Sequence, residues 1–453
     1  MSEENLILPG KSFAAEGTLP KTQKSKLSVA SLSAAFFVDS GEEQALPILW
    51  PHMYASLGAS IGQLGSILGA SRFVMTLMLP LWGYAADRFS RKLLLVLFTG
   101  IWGLWTMGIG LIGTLPQLMI LRIVSGLGLG VFAPAAFSLI GDLFDNHSRG
   151  RAAGTMRAVG LFGTLAAVGF LPALAGRGPE GWRTGFILMG FASFITGLLM
   201  LGLEEPPRGS SEPELRDVIS SKAASRYTFS WADLWALFRI RSWRYLLLNE
   251  MLTRISISVF VSWNFTFLTG LGLDTPVFYG TVLLVAVGLI FGSIFFGWLG
   301  DRLEKRFPGR GRITMIQIGL SVTVPLLFGY LVSNGENISW LIGFGFLAGF
   351  GNSAASEGTL WPVAQAIMPP ELRGSSRAII TMVAGAASAL MLSLSGVAAD
   401  QVGVPAMLLW LVPLPGLLSI IAWIPMFRSY YADRAAMHEL LTHRRSEVLE
   451  TNK

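Results

Sequence analysis

The sequence predicts an all-α integral membrane protein with twelve transmembrane helices in two six-helix bundles. Three observations carry this. The chain is 52% apolar and only 14% charged, with a mean hydropathy of +0.57, whereas soluble proteins carry about a quarter charged residues. Twelve apolar stretches match the ~20 residues that a helix needs to cross the hydrocarbon core. Lys and Arg collect in alternate loops.

The spans read as 27–50, 61–85, 93–113, 117–141, 152–175, 183–203, 242–268, 276–300, 313–333, 338–367, 376–400 and 404–427. Basic residues outside them fall on one face. They are Lys11, Lys21, Lys24 and Lys26 in the N-terminal tail, then Arg88, Arg91 and Lys92, then Arg149 and Arg151. The stretch from Arg208 to Arg244 follows, then Arg302, Lys305, Arg306, Arg310 and Arg312, then Arg373 and Arg377, then Arg428 to Lys453. The other face has Arg177 and Arg183. Cytoplasmic loops are the basic ones, so both termini are expected in the cytoplasm.

Residues 1–26 are polar and lack the apolar core of a secretory signal; they read as a cytoplasmic N-tail. The bundles are expected at 27–203 and 242–427, with a cytoplasmic C-tail at 428–453. Between them, 204–241 reads as a cytoplasmic linker, because it opens with Pro, Ser and charge. Its last part, TFSWADLWALFRI, is amphipathic. Ser230 would cap a short helix that presents Trp231, Leu234, Trp235 and Phe238 to the membrane interface.

Several function classes are excluded. There is no Cys, and the four His residues show no metal-ligand spacing. The stretches SGLGLG and GFGFLAGFG follow no strand and precede no GK[ST], so they read as packing faces rather than phosphate loops. No Ser-His-Asp arrangement is visible. The chain is expected to be no enzyme, to need no cofactor and to bind no nucleic acid. Its net charge of +6 is accounted for by cytoplasmic Lys and Arg.

Two loops repeat. GYAADRFSRK (83–92) and GWLGDRLEKR (297–306) each follow an even-numbered span, and HSRGRAAG (147–154) and ELRGSSRA (371–378) form a second pair. Internal repeats of this kind mark transporters. The chain resembles the major facilitator superfamily. That family's loop motif, Gly-x-x-x-Asp-Arg-x-Gly-Arg-Lys/Arg, is matched by Gly83, Asp87, Arg88, Arg91 and Lys92. It is matched again by Gly297, Asp301, Arg302, Lys305 and Arg306, while Ser90 and Glu304 replace the second Gly. Ser90 is therefore expected to alter the turn. Arg122, Gly126 and Gly128 resemble the family's fourth-span pattern. WTMGIG, FAPAAFSLIGDLF and RGRA resemble spinster-like and organic-anion or drug carriers. The resemblance implies alternating access of two halves, with the loop motifs locking the cytoplasmic side.

Ionisable groups inside spans cost at least roughly 2.5–3.5 kcal/mol each and normally face a cavity or a partner. They are Asp39, Glu42 and Glu43 in the first span, Arg72 in the second, Arg122 in the fourth, Glu250 and Arg254 in the seventh, and Glu357 in the tenth. Five acids cannot pair one-to-one with three arginines, so a proton-exchanging carboxyl is expected. Asp39 and Glu43 share a helix face at i,i+4, as do Glu250 and Arg254. Shifting one loop motif onto the other by 214 residues sets Arg254 opposite Ser40; the family resemblance implies that the first and seventh spans line the central cavity, so Asp39, Glu43 and Arg254 are expected to meet across it.

Proton coupling is thus assigned to Asp39, Glu42, Glu43 and Arg122, and the substrate cavity to Glu250, Arg254, Glu357, Asn249, Asn264, Asn352 and Trp361. Alternatives stand beside these: Glu250–Arg254 as an internal pair, Arg72 as a brace away from the substrate path, Glu42 near solvent if the helix breaks at Ser40-Gly41, and the asparagines as helix–helix ties. The expected activity is proton-coupled secondary transport of a small organic solute by a monomer amid membrane lipid. An uncoupled facilitator or lipid exporter, and a non-transporting sensor, are the competing readings. The absence of Cys and of eukaryotic targeting features points to a prokaryotic plasma membrane.

Overall fold

The computed structural model describes residues 23–144, 146–206, 233–333, 335, 337–355, 357–369 and 372–451, and among these every regular element is helical. The first six helices are α1 (Gln23–Met53), α2 (Gln63–Arg88), α3 (Arg91–Ile109), α4 (Leu115–Ile140), α5 (Asn146–Ala175) and α6 (Gly181–Met200). The second six are α7 (Arg241–Gly270), α8 (Thr275–Arg306), α9 (Gly311–Val332), α10 (Ile338–Gln365), α11 (Arg373–Val402) and α12 (Val404–Trp423). A last helix, α13 (Met426–Thr451), follows. Eleven of the first twelve are long and apolar enough to span a membrane. The remaining one, α1, carries Asp39, Glu42 and Glu43 in its middle, yet its 31 residues are ample for a span.

The first helix runs unbroken through Ser40 and Gly41. A break there was the condition for a solvated Glu42, and it does not occur. Gly41 instead permits close packing: a Cβ would stand 3.1 Å from Met189 Cε and 3.2 Å from the Gly163 carbonyl oxygen. Elsewhere the helices do break. A π-helical turn at Val96–Ile101 interrupts α3, and a 3-10 turn at Ser353–Ala355 interrupts α10. Such turns change the face that the following residues present. They lie directly before Thr106 and before Glu357–Trp361.

The halves meet along α2 and α11, which run antiparallel. Gly62, Gly65 and Gly69 face Gly396, Leu392 and Ala389. A Cβ on Gly65 would lie 2.6 Å from Gly396 N, and one on Gly69 would lie 2.6 Å from the Ala389 carbonyl oxygen. Small residues let backbones approach in lipid, where van der Waals packing drives association. Asp400, at the end of α11, closes this seam. It accepts from Ser60 Oγ at 2.6 Å and from Gly62 N at 2.8 Å, capping the N-terminus of α2 with a carboxylate. The seam continues to Thr76 and Gly385. Nearer the cytoplasm, a Cβ on Gly83 or Gly297 would meet nothing within 4 Å. The halves are therefore shut at the end away from the loop motifs and apart at the motif glycines; with those loops on the cytoplasmic side that the charge pattern predicts, the arrangement is inward-facing.

The linker helix spans Asp233–Arg239. Leu237 is its buried anchor, while Trp235 and Phe238 are exposed. The expected cap Ser230 and Trp231 lie outside the described residues, as does the side chain of Leu234.

Candidate functional site

The first loop motif is held by Arg91. Only 1% of this residue is exposed. Its backbone N donates to Glu205 Oε1 at 2.7 Å, its Nε to the same oxygen at 3.3 Å, and its Nη2 to the Pro206 carbonyl oxygen at 2.9 Å. Its Nη1 pairs with Asp142. A buried guanidinium needs all its donors filled; with Nη1 also donating to Ser138 Oγ of α4 at 3.3 Å, α3, α4 and the start of the linker are tied at one point. Ser90, with φ −59°, needs no glycine; its hydroxyl accepts from Leu93 N at 3.1 Å and caps α3. The replacement of Gly by Ser thus strengthens the turn rather than disturbing it.

The side chain of Asp87 lies outside the described residues, and Arg88 rests over the Tyr84 ring. In the second copy, Asp301 pairs with Arg312. Arg302 and Arg306 lie over Trp298 and Phe307. Glu304, standing where the motif has Gly, accepts from Gly309 N at 2.7 Å and from Arg434 of α13 at 2.6 Å.

Glu205 lies outside the spans. Burial works to raise its pKa, but hydrogen bonds from Ser90 and Arg91 outweigh that and hold it below the usual carboxylate value. Such a group stabilises the fold above the ordinary Glu range, near 4.3, and the contribution is lost as pH falls through the lowered value. We expect Glu205→Gln to lower the unfolding midpoint at pH 7 by about 2 °C and to leave it unchanged well below that range. Melting curves of both proteins across pH test this.

In the first half, the acids of α1 part company. Glu42 is buried, 7% exposed, and accepts from Thr106 Oγ1 of α3. Glu43 accepts from Arg72 Nη2 of α2 at 3.2 Å. Arg72 thus ties α2 to α1 through Glu43. Asp39 makes no hydrogen bond or ion pair among the described residues. Arg122 is 3% exposed, forms no ion pair among them, and its buried Nε has no hydrogen-bond partner. It is near enough to Glu42, Glu43 and Arg72 for their charges to act on it. Gly126 and Gly128, which follow it, are packing sites: a Cβ on Gly126 would stand 2.6 Å from the Ser71 carbonyl oxygen, and one on Gly128 would strike Trp102.

In the second half, Arg254 Nη2 donates to Glu250 Oε1 at 2.7 Å. The pair stands between two cavities. One, of about 180 Å³, is lined by Thr253, Ile257, Leu289, Ser293, Asn352 and Ser353 beside the pair. The other is lined by Leu246, Trp361, Ala364, Arg377 and Ile380 beside the pair. Arg377 lies over the Trp361 ring, 5.0 Å from its centroid. Asn352 and Trp361 thus line cavities. Two other asparagines are buried and bonded to neighbouring helices. Asn249 Nδ2 donates to the Tyr245 carbonyl oxygen, and its Oδ1 accepts from Ser419 Oγ at 2.7 Å, tying α7 to α12. Asn264 accepts from the Tyr330 hydroxyl at 2.8 Å, tying α7 to α9. Buried amides filled by such partners are helix–helix ties. The side chain of Glu357 lies outside the described residues.

The expected meeting of Asp39, Glu43 and Arg254 is replaced by two separate pairs, Arg72–Glu43 and Arg254–Glu250. Sequence reasoning missed Thr106, Asp142, Glu205, Arg377 as a cavity residue, and Asp400. Asp400 is an acid at the end of a span, and that was a usable signal. The others are ordinary residue types until the helices are packed.

The Major Facilitator Superfamily model matches residues 32–392. The Probable sulfoacetate transporter of Cupriavidus necator is 26% identical over 279 residues, covering 60% of this chain and 64% of its own, so this chain spans just under two thirds of it. The 4-hydroxybenzoate transporter of Acinetobacter baylyi is 24% identical over 332 residues, covering 65% of this chain and 71% of its own. Among solved structures, a bacterial homolog of the human lysosomal transporter Spinster, inward-facing and unoccupied, superposes with a TM-score of 0.72. It is 18% identical and covers 92% of this chain and 98% of its own.

Proposed function

The chain belongs to the major facilitator superfamily, and on that premise we propose that it carries a small organic anion across the bacterial plasma membrane, coupled to protons. The observation that carries the substrate class is Arg254, paired with Glu250 yet facing two cavities, one of which also holds Arg377. A guanidinium that already has a carboxylate partner can exchange it for a substrate carboxylate or sulfonate. The similar carriers named for sulfoacetate and 4-hydroxybenzoate agree with this class. Rocking of the two halves would expose these cavities to either side in turn.

Proton coupling rests on Asp39. It shares α1 with two acids that have partners and has no partner of its own among the described residues. Glu43 with Arg72, and Glu42 with Arg122 near by, would sense its charge.

Purified protein in liposomes should take up at least one labelled acid from a panel of sulfoacetate, 4-hydroxybenzoate and aldonates, and an imposed pH gradient should stimulate the uptake. Arg254→Gln should cut it roughly tenfold or more, the scale of removing one partner from a close charge pair. Uptake of neutral or cationic solutes with none of the anions would reject the anion reading. Anion uptake indifferent to the gradient would reject the coupling and leave a facilitator.

A further inference from the structure

Arg239, Arg241 and Arg244 stand within six residues at the cytoplasmic entry to α7. All three are exposed, and their guanidinium groups make no hydrogen bond or ion pair among the described residues. Beside them Trp235 is 72% exposed and leans at a tilt against Phe238, ring centroids 5.8 Å apart; Phe238 in turn packs edge-on against the buried Trp243 at 4.7 Å. Leu237, fully buried, fastens the linker helix to the bundle. The aromatic pair is therefore held in place rather than hanging from a flexible arm. The carboxylate of Asp433 that reaches this segment accepts from Ser242 N at 2.8 Å and serves as a cap for α7.

Length sets the depth. Helix α7 has 30 residues, about 45 Å at 1.5 Å per residue, against a hydrocarbon core of about 30 Å. Its surplus turns must stand in the headgroup layers, and the basic side of the protein puts Arg241 and Arg244 in the cytoplasmic one. Trp favours that layer, with an apolar ring and one N–H donor. Arginine offers a planar fork of donors that matches a phosphate.

We propose that Trp235, Phe238, Arg239, Arg241 and Arg244 form a binding patch for anionic phospholipid headgroups of the cytoplasmic leaflet. The aromatic pair seats at the acyl boundary and the arginines hold the phosphates above it. The patch sits at the first turn of α7, three turns before Arg254 on the same helix, so lipid bound there steadies the helix that carries the cavity arginine.

The test uses the full chain and no transport substrate, so it stands apart from the anion reading. The protein contains no Cys, so Trp235→Cys labelled with bimane places one fluorophore in the patch. Proteoliposomes carry brominated phosphatidylglycerol or brominated phosphatidylcholine at equal mole fraction, each diluted in unbrominated phosphatidylcholine. Brominated phosphatidylglycerol is expected to quench more strongly than brominated phosphatidylcholine at each mole fraction, and the preference should fall about fivefold for each arginine replaced by Gln. Raising salt to 0.5 M should reduce it in the otherwise unchanged protein, because exposed charges are screened. That arm holds even if the Arg239→Gln, Arg241→Gln, Arg244→Gln variant folds poorly. Equal quenching by both lipids, or a preference untouched by salt and by Arg241→Gln alone, overturns the proposal.

Discussion

Gly65→Val is expected to stop transport and to empty the inward-facing state. Its side chain would drive into the α11 backbone, since even a Cβ lies 2.6 Å from Gly396 N with Leu392 beside it. Backbone cannot rotate away as a flexible side chain can, and overpacking of this kind costs about 1–3 kcal/mol or more. The conformational balance of a carrier is commonly within a few kcal/mol, so the outer seam should open. Gly83→Val is the matched experiment, because nothing lies within 4 Å of that position in the inward-facing arrangement. It should leave this state folded and populated while impeding closure of the cytoplasmic side. Spin labels on cysteines introduced into the Cys-free chain, one pair across each side, would read the two distances. Gly65→Val should lengthen the outer distance, and Gly83→Val should not. Asp400→Asn belongs to the same series, with a milder shift, because it loses the charge but keeps one acceptor for Ser60 or Gly62. Equal behaviour of the two glycine variants would show that the α2–α11 seam does not set the balance.

Asp39→Asn is expected to abolish uphill accumulation, at least tenfold, while substrate exchange across the membrane at equal pH stays within about twofold. The reason is the division of labour among the α1 acids. Glu43 is engaged by Arg72 and Glu42 by Thr106, so their removal should also disturb packing. Asp39 has no such partner to lose among the described residues. Glu42→Gln, which keeps an acceptor for Thr106, separates the roles: exchange should survive, and any loss of accumulation would assign the proton to Glu42 instead. Counterflow and gradient-driven uptake, measured on the same liposomes, distinguish these outcomes.

The sequence by itself determined the membrane class and the twelve helices, and it set the expectation of sidedness and of two related halves. These follow from additive quantities: apolar length against bilayer thickness, the distribution of Lys and Arg, and a local loop motif repeated at a 214-residue shift. It also singled out the charged residues of the spans as candidates, because a charge in lipid is costly wherever it sits. What it did not yield was their pairing. The expectation that Arg254 would reach Asp39 assumed that equal depth means contact. Depth along two helices says nothing about their rotation or separation, and the structure sets Arg254 on its own helix neighbour Glu250 and gives Glu43 to Arg72. Asn249 and Asn264 were expected at the cavity; the packing of α7 against α12 and α9 gives each a hydrogen-bonded partner on a neighbouring helix, which depth alone does not reveal. The inward-facing state, Asp400 capping α2 across 338 residues of sequence, and the open space beside Gly83 likewise belong to tertiary structure. A carrier has two packings of one sequence, separated by small energies. Local chemistry specifies the helices common to both, and only long-range packing decides which seam is closed.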